Sequence, residues 1–246
     1  MARAVIFDMG ETLLRFERPG NGTWREFETP GIRSVYHYFI EQGHPMAAHE
    51  DTFVETMFTR LAEGWQQATG GNINLRAIDW IAAGARDHNL NLDEQMIVEA
   101  ATRYARPLRE GLTVMPGAVE TLAALRQQGY RIGLISNTIW PARLHLEDLA
   151  EVHVLPYLEY TLFSGDVGIW KPNPQIFQNM MAALDVEPAN AVFVGDSARE
   201  DVIGAQTAGM RSIWKQNADF PLGDITPDAV IQELAELPTL LANWHM

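Results

Sequence analysis

Apolar residues recur along this chain at two spacings, and the spacings divide it. Short, mainly apolar runs lie at residues 3–8, 130–135, 160–163, 191–194 and 211–214, each followed by polar or glycine positions. Runs of this length with turn signals behind them predict buried strands. Between them, apolar residues fall three or four apart: Val119, Leu122 and Leu125 before Gly129, then Phe177, Met180, Met181 and Leu184 after Asn173-Pro174, then Ile203 and Ala205 before Gly209. These are helices, with Gly129 just past one end and Asn173-Pro174 as the start of another. Ala229-Val230-Ile231 and a final helix complete the tail. Strand–helix alternation of this kind predicts an α/β fold, a parallel sheet with helices on both faces.

One stretch breaks the alternation. From about residue 32 to 107 the spacing is helical throughout, with Ile32, Val35, Tyr36, Phe39 and Ile40 on one face, Val54, Phe58, Leu61 and Trp65 on another, and Met96, Ile97, Ala100, Ala101 and Tyr104 on a third. With a segment near 75–87 this predicts a bundle of about four helices. Residues 17–31, with Pro19, Gly20, Gly22, Pro30 and Gly31, read as loop. The first strand belongs with the later ones, so the bundle is an insertion. The boundaries are 1–16 and 110–246 for the sheet module and 17–109 for the helical one, hinged near 15–20 and 108–116.

Composition narrows the chemistry. The 246 residues are 47% hydrophobic, enough for a sizeable core. A net charge of −14 disfavours nucleic acid and anionic membrane surfaces as partners, while leaving room for a local positive pocket. There is no cysteine, which excludes a disulfide framework, a thiolate metal site and a cysteine nucleophile. No signal-peptide pattern precedes the first strand and no apolar run approaches membrane-spanning length, so a cytoplasmic protein is expected. Of 18 basic residues only Lys171 and Lys215 are lysines.

Polar groups recur where strands end: Asp8, Ser136-Asn137, Asp196 with Asp201, and Lys171 in the loop before the Asn173 helix. Singly, each has an ordinary reading: a turn or helix cap for the aspartates and serine, a surface lysine for Lys171. Together they lie at ends that a parallel sheet brings to one edge, where ligands bind. Carboxylates beside phosphate oxygens suit octahedral Mg²⁺. A lysine and a hydroxyl suit the remaining phosphate oxygens, and an aspartate can act as a nucleophile.

The ordered set resembles the haloacid dehalogenase (HAD) superfamily, in the subgroup with a helical C1 cap inserted after the first motif. The matching segments are Asp8-Met9-Gly10-Glu11-Thr12, Leu134-Ile135-Ser136-Asn137, Gly168-Ile169-Trp170-Lys171-Pro172, and Gly195-Asp196 followed by Asp201. The resemblance implies a Rossmann-like core with a helical cap, and a Mg²⁺-dependent phosphatase of a small phosphorylated metabolite. It implies Asp8 as nucleophile and metal ligand, the Gly10 carbonyl and Asp196 as further ligands, and Asp201 as a ligand or the holder of metal-bound water. Ser136 and Lys171 would bind the phosphoryl group, with backbone N–H groups of Met9 and Gly10 and near Asn137 completing the cradle.

Gly10 departs from the family pattern. Family phosphatases carry there a second aspartate that protonates the leaving oxygen and later activates water. Its loss costs about 10²–10⁴-fold in general acid–base catalysis. Three readings follow: a phosphatase helped by Glu11, water or the substrate itself; a metal-independent 2-haloacid dehalogenase, a branch that also lacks this aspartate; or a binding protein for a phosphorylated ligand. The acidic fourth motif argues against the dehalogenase, because unfilled it would repel Asp8. A phosphonate-cleaving branch needs a cap lysine, and this cap has none. Cap residues open to substrate contact are Trp24, Trp65, Trp80, Tyr36 and Tyr38, with Arg15, Arg18, Arg25 and Arg33 on the hinge side and Trp140 beside the second motif.

Overall fold

The computed structural model describes residues 3–16, 22–44, 46–69 and 75–244. It forms two compact units: Met1–Arg15 with Thr113–Asn137 and Leu146–Met246, and Phe16–Leu112 with Thr138–His145. Among the described residues no helix is long and apolar enough to cross a membrane.

The first unit is built on a parallel sheet. Its strands are β1 (Arg3–Phe7), then, after the short β2 (Leu14–Phe16) and β3 (Leu112–Val114), β4 (Tyr130–Ser136), β5 (Tyr160–Phe163), β6 (Ala191–Gly195), β7 (Arg211–Lys215) and β8 (Ala229–Ile231). The order across the sheet is β5-β4-β1-β6-β7-β8, and every neighbouring pair is parallel. β1 is central, and Ala4, Val5, Ile6 and Phe7 are fully buried. A strand covered on both faces has no solvent side, which is why its sequence is continuously apolar rather than alternating. The chain leaves β1 for β4 on one side and later reaches β6 on the other. Ligand crevices form at such a switch point, outside the strands' C-terminal ends.

Register brings the polar motifs together. Phe7 pairs with Leu134 and with Val194, so Asp8 sits level with the ends of β4 and β6. Beneath them Ile6, Ile135, Phe177, Met180 and Phe193 form a buried layer. The predicted helix start is present: the Asn173 side chain accepts from Gln175 N, with Pro174 opening the helix Pro174–Ala183.

The second unit holds four helices: α1 (Trp24–Glu41), α2 (Glu50–Thr69), α3 (Ala77–Asp87) and α4 (Glu94–Arg109). The expected bundle is there, but α1 begins earlier than its turn residues suggested. Thr23 and Glu26 form a reciprocal capping box that starts the helix at Trp24, ahead of Pro30. Gly31 reads as a loop residue for a different reason. A Cβ there would lie 2.5 Å from the Tyr104 carbonyl oxygen, so the glycine permits close approach of α1 and α4. Arg18, Pro19 and Gly20 lie outside the described residues. At the ends of the helical stretch the chain forms strands rather than loops: β2 and β3 pair as a two-stranded sheet.

The segment Thr138–His145 also groups with the helices, although strand–helix alternation assigned it to the sheet. Local contacts explain this. Ala77 N donates to Ile139 O at 2.7 Å, and Arg109 donates to Leu144 O at 3.0 Å. Trp140 is buried, edge-on to Phe16 and stacked on His145.

Candidate active site

Asp8, Ser136, Lys171, Asp196 and Asp201 are all buried in the sheet unit. Asp8 follows β1 directly, and its N–H donates to Val194 O at 2.9 Å, which holds it against β6. Lys171 Nζ bridges two carboxylates, donating to Asp8 Oδ1 at 2.5 Å and to Asp201 Oδ1 at 2.7 Å. Carboxylate oxygens of Asp8, Asp196 and Asp201 lie within 4.8 Å of one another.

The segment after β6 is shaped for Asp201. Ser197 N donates to Asp201 Oδ2 at 2.9 Å, and Ser197 Oγ accepts from Glu200 N at 3.2 Å, opening a π-helical turn at Ala198–Ile203. A Cβ on Gly195 would lie 2.2 Å from Asp201 Oδ2. The glycine of this motif is therefore required by packing: the carboxylate occupies the space of a side chain.

Asn137 is a clamp. Its Oδ1 accepts from Lys171 N at 2.8 Å, while its Nδ2 donates to Lys171 O and to Glu200 Oε2, each at 3.0 Å. Its side chain thus serves the lysine loop, and backbone is what it has to offer a ligand. Ser136 Oγ stands 3.5 Å from Asn137 O at the end of β4. The Met9 side chain is buried, and its carbonyl accepts from Leu13 N and Leu14 N at 2.9 Å, turning the chain back after Asp8. Glu11 adopts φ 53°. Its carboxylate meets exposed Arg15 at 3.3 Å.

Three residues missed by pattern reasoning complete the arrangement. Asn217 Nδ2 donates to Asp196 Oδ2 at 2.7 Å, and Trp214 Nε1 donates to Asp196 O at 2.7 Å. Lys215, buried at the end of β7, donates to Glu11 O at 2.9 Å. Lys215 had a signal in the sequence, as one of only two lysines and at a strand end. Asn217 and Trp214 had none. Of the cap candidates, Tyr38 and Trp80 are buried, while Arg25 pairs with Glu55 and Arg33 with Glu50 and Asp51.

The electrostatics are unbalanced. Burial, followed by the repulsion of Asp201 and Asp196, raises the Asp8 pKa to about 8 despite the opposing pull of Lys171. Burial and Asp201 raise Asp196 to about 6. Burial alone would lower Lys171, but Asp201 and Asp8 more than offset it and the net direction is up. The Lys171 ammonium, shared between Asp8 and Asp201, leaves both Asp8 and Asp196 with raised pKa values. A cluster of hard oxygen donors with surplus negative charge fits a hard divalent cation, which would return Asp8 to its ionised form.

Comparison with known proteins gives the family. The family described as haloacid dehalogenase-like hydrolase matches residues 2–209. A glyceraldehyde 3-phosphate phosphatase of Pyrococcus furiosus is 34% identical over 172 residues, which is 66% of this chain but only 62% of that protein. A phosphoglycolate phosphatase of Yersinia pseudotuberculosis is 30% identical over 239 residues, covering 96% of this chain and 91% of its own. Among solved structures, a 2-haloacid dehalogenase of Pseudomonas syringae superposes with a TM-score of 0.71 at 25% identity, covering 100% of both chains. The chain belongs to the haloacid dehalogenase-like hydrolases and is an enzyme of the hydrolase class.

Proposed function

We propose that this enzyme is a Mg²⁺-dependent phosphatase of a small phosphorylated metabolite, with Asp8 as the nucleophile. The observation that carries the reading is Lys171 Nζ bridging Asp8 and Asp201 beside Asp196. Asp8, the Gly10 carbonyl, Asp196 and Asp201 would hold the cation. Bound there, Mg²⁺ would offset the repulsion between the carboxylates and a phosphate dianion.

The side chains then divide the work. One Asp8 oxygen attacks phosphorus and forms an aspartyl-phosphate as the bond to the leaving oxygen breaks. Lys171 keeps Asp8 oriented and, with the Ser136 hydroxyl, binds phosphoryl oxygens. Asn137 fixes the Lys171 backbone, and Asn217 fixes Asp196. Water attack on the aspartyl-phosphate releases phosphate and restores Asp8. The helical unit serves as the cap that selects the substrate.

A second reading has a specific observation behind it, the likeness to a 2-haloacid dehalogenase. Such an enzyme gains nothing from the clustered carboxylates that raise Asp8. A panel of phosphorylated metabolites and 2-haloacids, each with EDTA or Mg²⁺, separates the two. We expect phosphate release that EDTA abolishes and Mg²⁺ restores. Chloride release from 2-chloropropionate in EDTA would establish the dehalogenase instead.

A further inference from the structure

Attack by Asp8 has a consequence for the substrate. As the Asp8–phosphorus bond forms, the bond from phosphorus to the leaving oxygen breaks and its electron pair goes to that oxygen. An alkoxide departs slowly unless it takes up a proton, and a positioned acid is worth about 10²–10⁴-fold.

The described residues of the sheet unit bring their protonatable groups to this site with other engagements. Lys171 is held between Asp8 and Asp201. Asp196 is held by Asn217, Asp201 also by Ser197 N, and Glu200 by Asn137. Glu11 turns to Arg15, and Lys215 is bound to the Glu11 carbonyl. Where the chain leaves Asp8, at Gly10, there is space instead of an acid: a Cβ built there meets nothing within 4 Å.

We propose that the enzyme is selective for phosphoryl donors whose leaving group departs unprotonated, namely acyl phosphates, other mixed anhydrides, and enol or aryl phosphates, over alkyl phosphate esters. This rests on the phosphatase reading above. For such donors the leaving oxygen carries its charge into solvent, where it takes a proton if it needs one. The second half-reaction is common to all donors: water adds to the aspartyl-phosphate and yields Asp8 and phosphate. With good donors this shared step limits kcat, and product appears in a burst.

The test is kcat/KM, with Mg²⁺, for dinitrophenyl, nitrophenyl and phenyl phosphate, then acetyl phosphate against glycerol phosphate. In the native enzyme the values fall steeply as the leaving group becomes less acidic, and acetyl phosphate greatly exceeds glycerol phosphate. Gly10→Asp adds a Cβ that meets nothing within 4 Å, and it flattens the dependence with its largest gain, about 10²–10⁴-fold, on glycerol phosphate. A shallow dependence in the native enzyme, with glycerol phosphate turned over as well as acetyl phosphate, overturns the proposal whatever the variant does. Failure to turn over any of the five donors overturns the phosphatase reading itself, and the proposal with it.

Discussion

Each unit buries a polar cluster, and the two are assembled on opposite principles. In the helical unit Tyr104 donates its phenol hydrogen to Glu28, Thr138 Oγ1 lies 2.6 Å from His145 Nε2, and Trp140 N donates to Thr138 Oγ1 at 3.1 Å. Burial, and then Arg109, depress the His145 pKa to about 3, so the ring is neutral at neutral pH. Donors meet acceptors there, and the cluster joins α1, α4 and the 138–145 segment into one core. The sheet unit instead clusters Asp8, Asp196 and Asp201, with the Lys171 ammonium bonded to Asp8 and Asp201. Paired polar groups are what a stable interior requires, whereas surplus like charge weakens it. On the function proposed above, the difference separates architecture from chemistry: the mismatched cluster is the one that would take up a cation.

Breaking this contrast most severely is Asp8→Asn. Activity toward nitrophenyl phosphate should fall by at least about 10³-fold, since an amide is no substitute for the attacking carboxylate. The same change removes a carboxyl that burial and two neighbours force to take up a proton on folding, so the metal-free melting temperature at neutral pH should rise by about 2–4 °C. A lower melting temperature would mean that the cluster is balanced without a cation.

Lys171→Met removes the one ammonium between Asp8 and Asp201. Leaving buried carboxylates unpaired should cost about 3–5 kcal/mol in denaturant unfolding of the metal-free protein. Saturating Mg²⁺ should recover part of that loss. An unchanged midpoint would show that water already screens the cluster.

Lys215→Met tests whether the loop after Asp8 depends on the end of β7. Its hydrogen bond to Glu11 O should be worth about tenfold in kcat, with little change in KM. Lys215→Gln, which can still donate, should recover part of the loss. Equal defects in both variants would assign the effect to charge.

The two clusters should also respond to pH with opposite signs. Folded Asp8 holds its proton up to about pH 8, while the unfolded carboxyl loses it near 3.8. The metal-free protein therefore gains stability as pH falls from 8 toward 4, and Mg²⁺ removes this gain. His145 resists protonation down to about 3 while the unfolded ring protonates near 6.5. It is neutral in its effect above that value and costs up to about 1.4 kcal/mol per unit as pH falls below it. Denaturant unfolding of His145→Gln against the native protein, both in saturating Mg²⁺, isolates this slope. Parallel curves would remove His145 as its cause.

Much of the fold was legible because burial leaves a local imprint. Strands covered on both faces must be apolar throughout, and helices must repeat every three or four residues, so β1, β4, β6 and the four-helix stretch stand out in the chain. Asp8, Ser136 and Asp196 were legible for the same reason, since a polar residue closing an apolar run is costly without a partner, whereas Lys171 and Asp201 stood out only through the ordered set of motifs. The start of α1 was not, because Pro30 and Gly31 carry turn chemistry in most settings. Here Gly31 answers to Tyr104, a residue far along the chain. The 138–145 segment escaped for a like reason, since its partners Ala77, Thr102 and Arg109 come from α3 and α4.

The sequence by itself determined the alternation of strands and helices, the inserted bundle, the ordered polar motifs and the missing side chain at Gly10, because each is a property of neighbours in the chain. Only the tertiary structure decided that Lys171 bridges Asp8 and Asp201, that Asn137 clamps the lysine loop, that Asn217 and Lys215 serve the site, and that Glu11 turns toward Arg15. Those are relations between strand ends far apart in sequence. Sheet register and backbone direction set them, and no local pattern encodes either one.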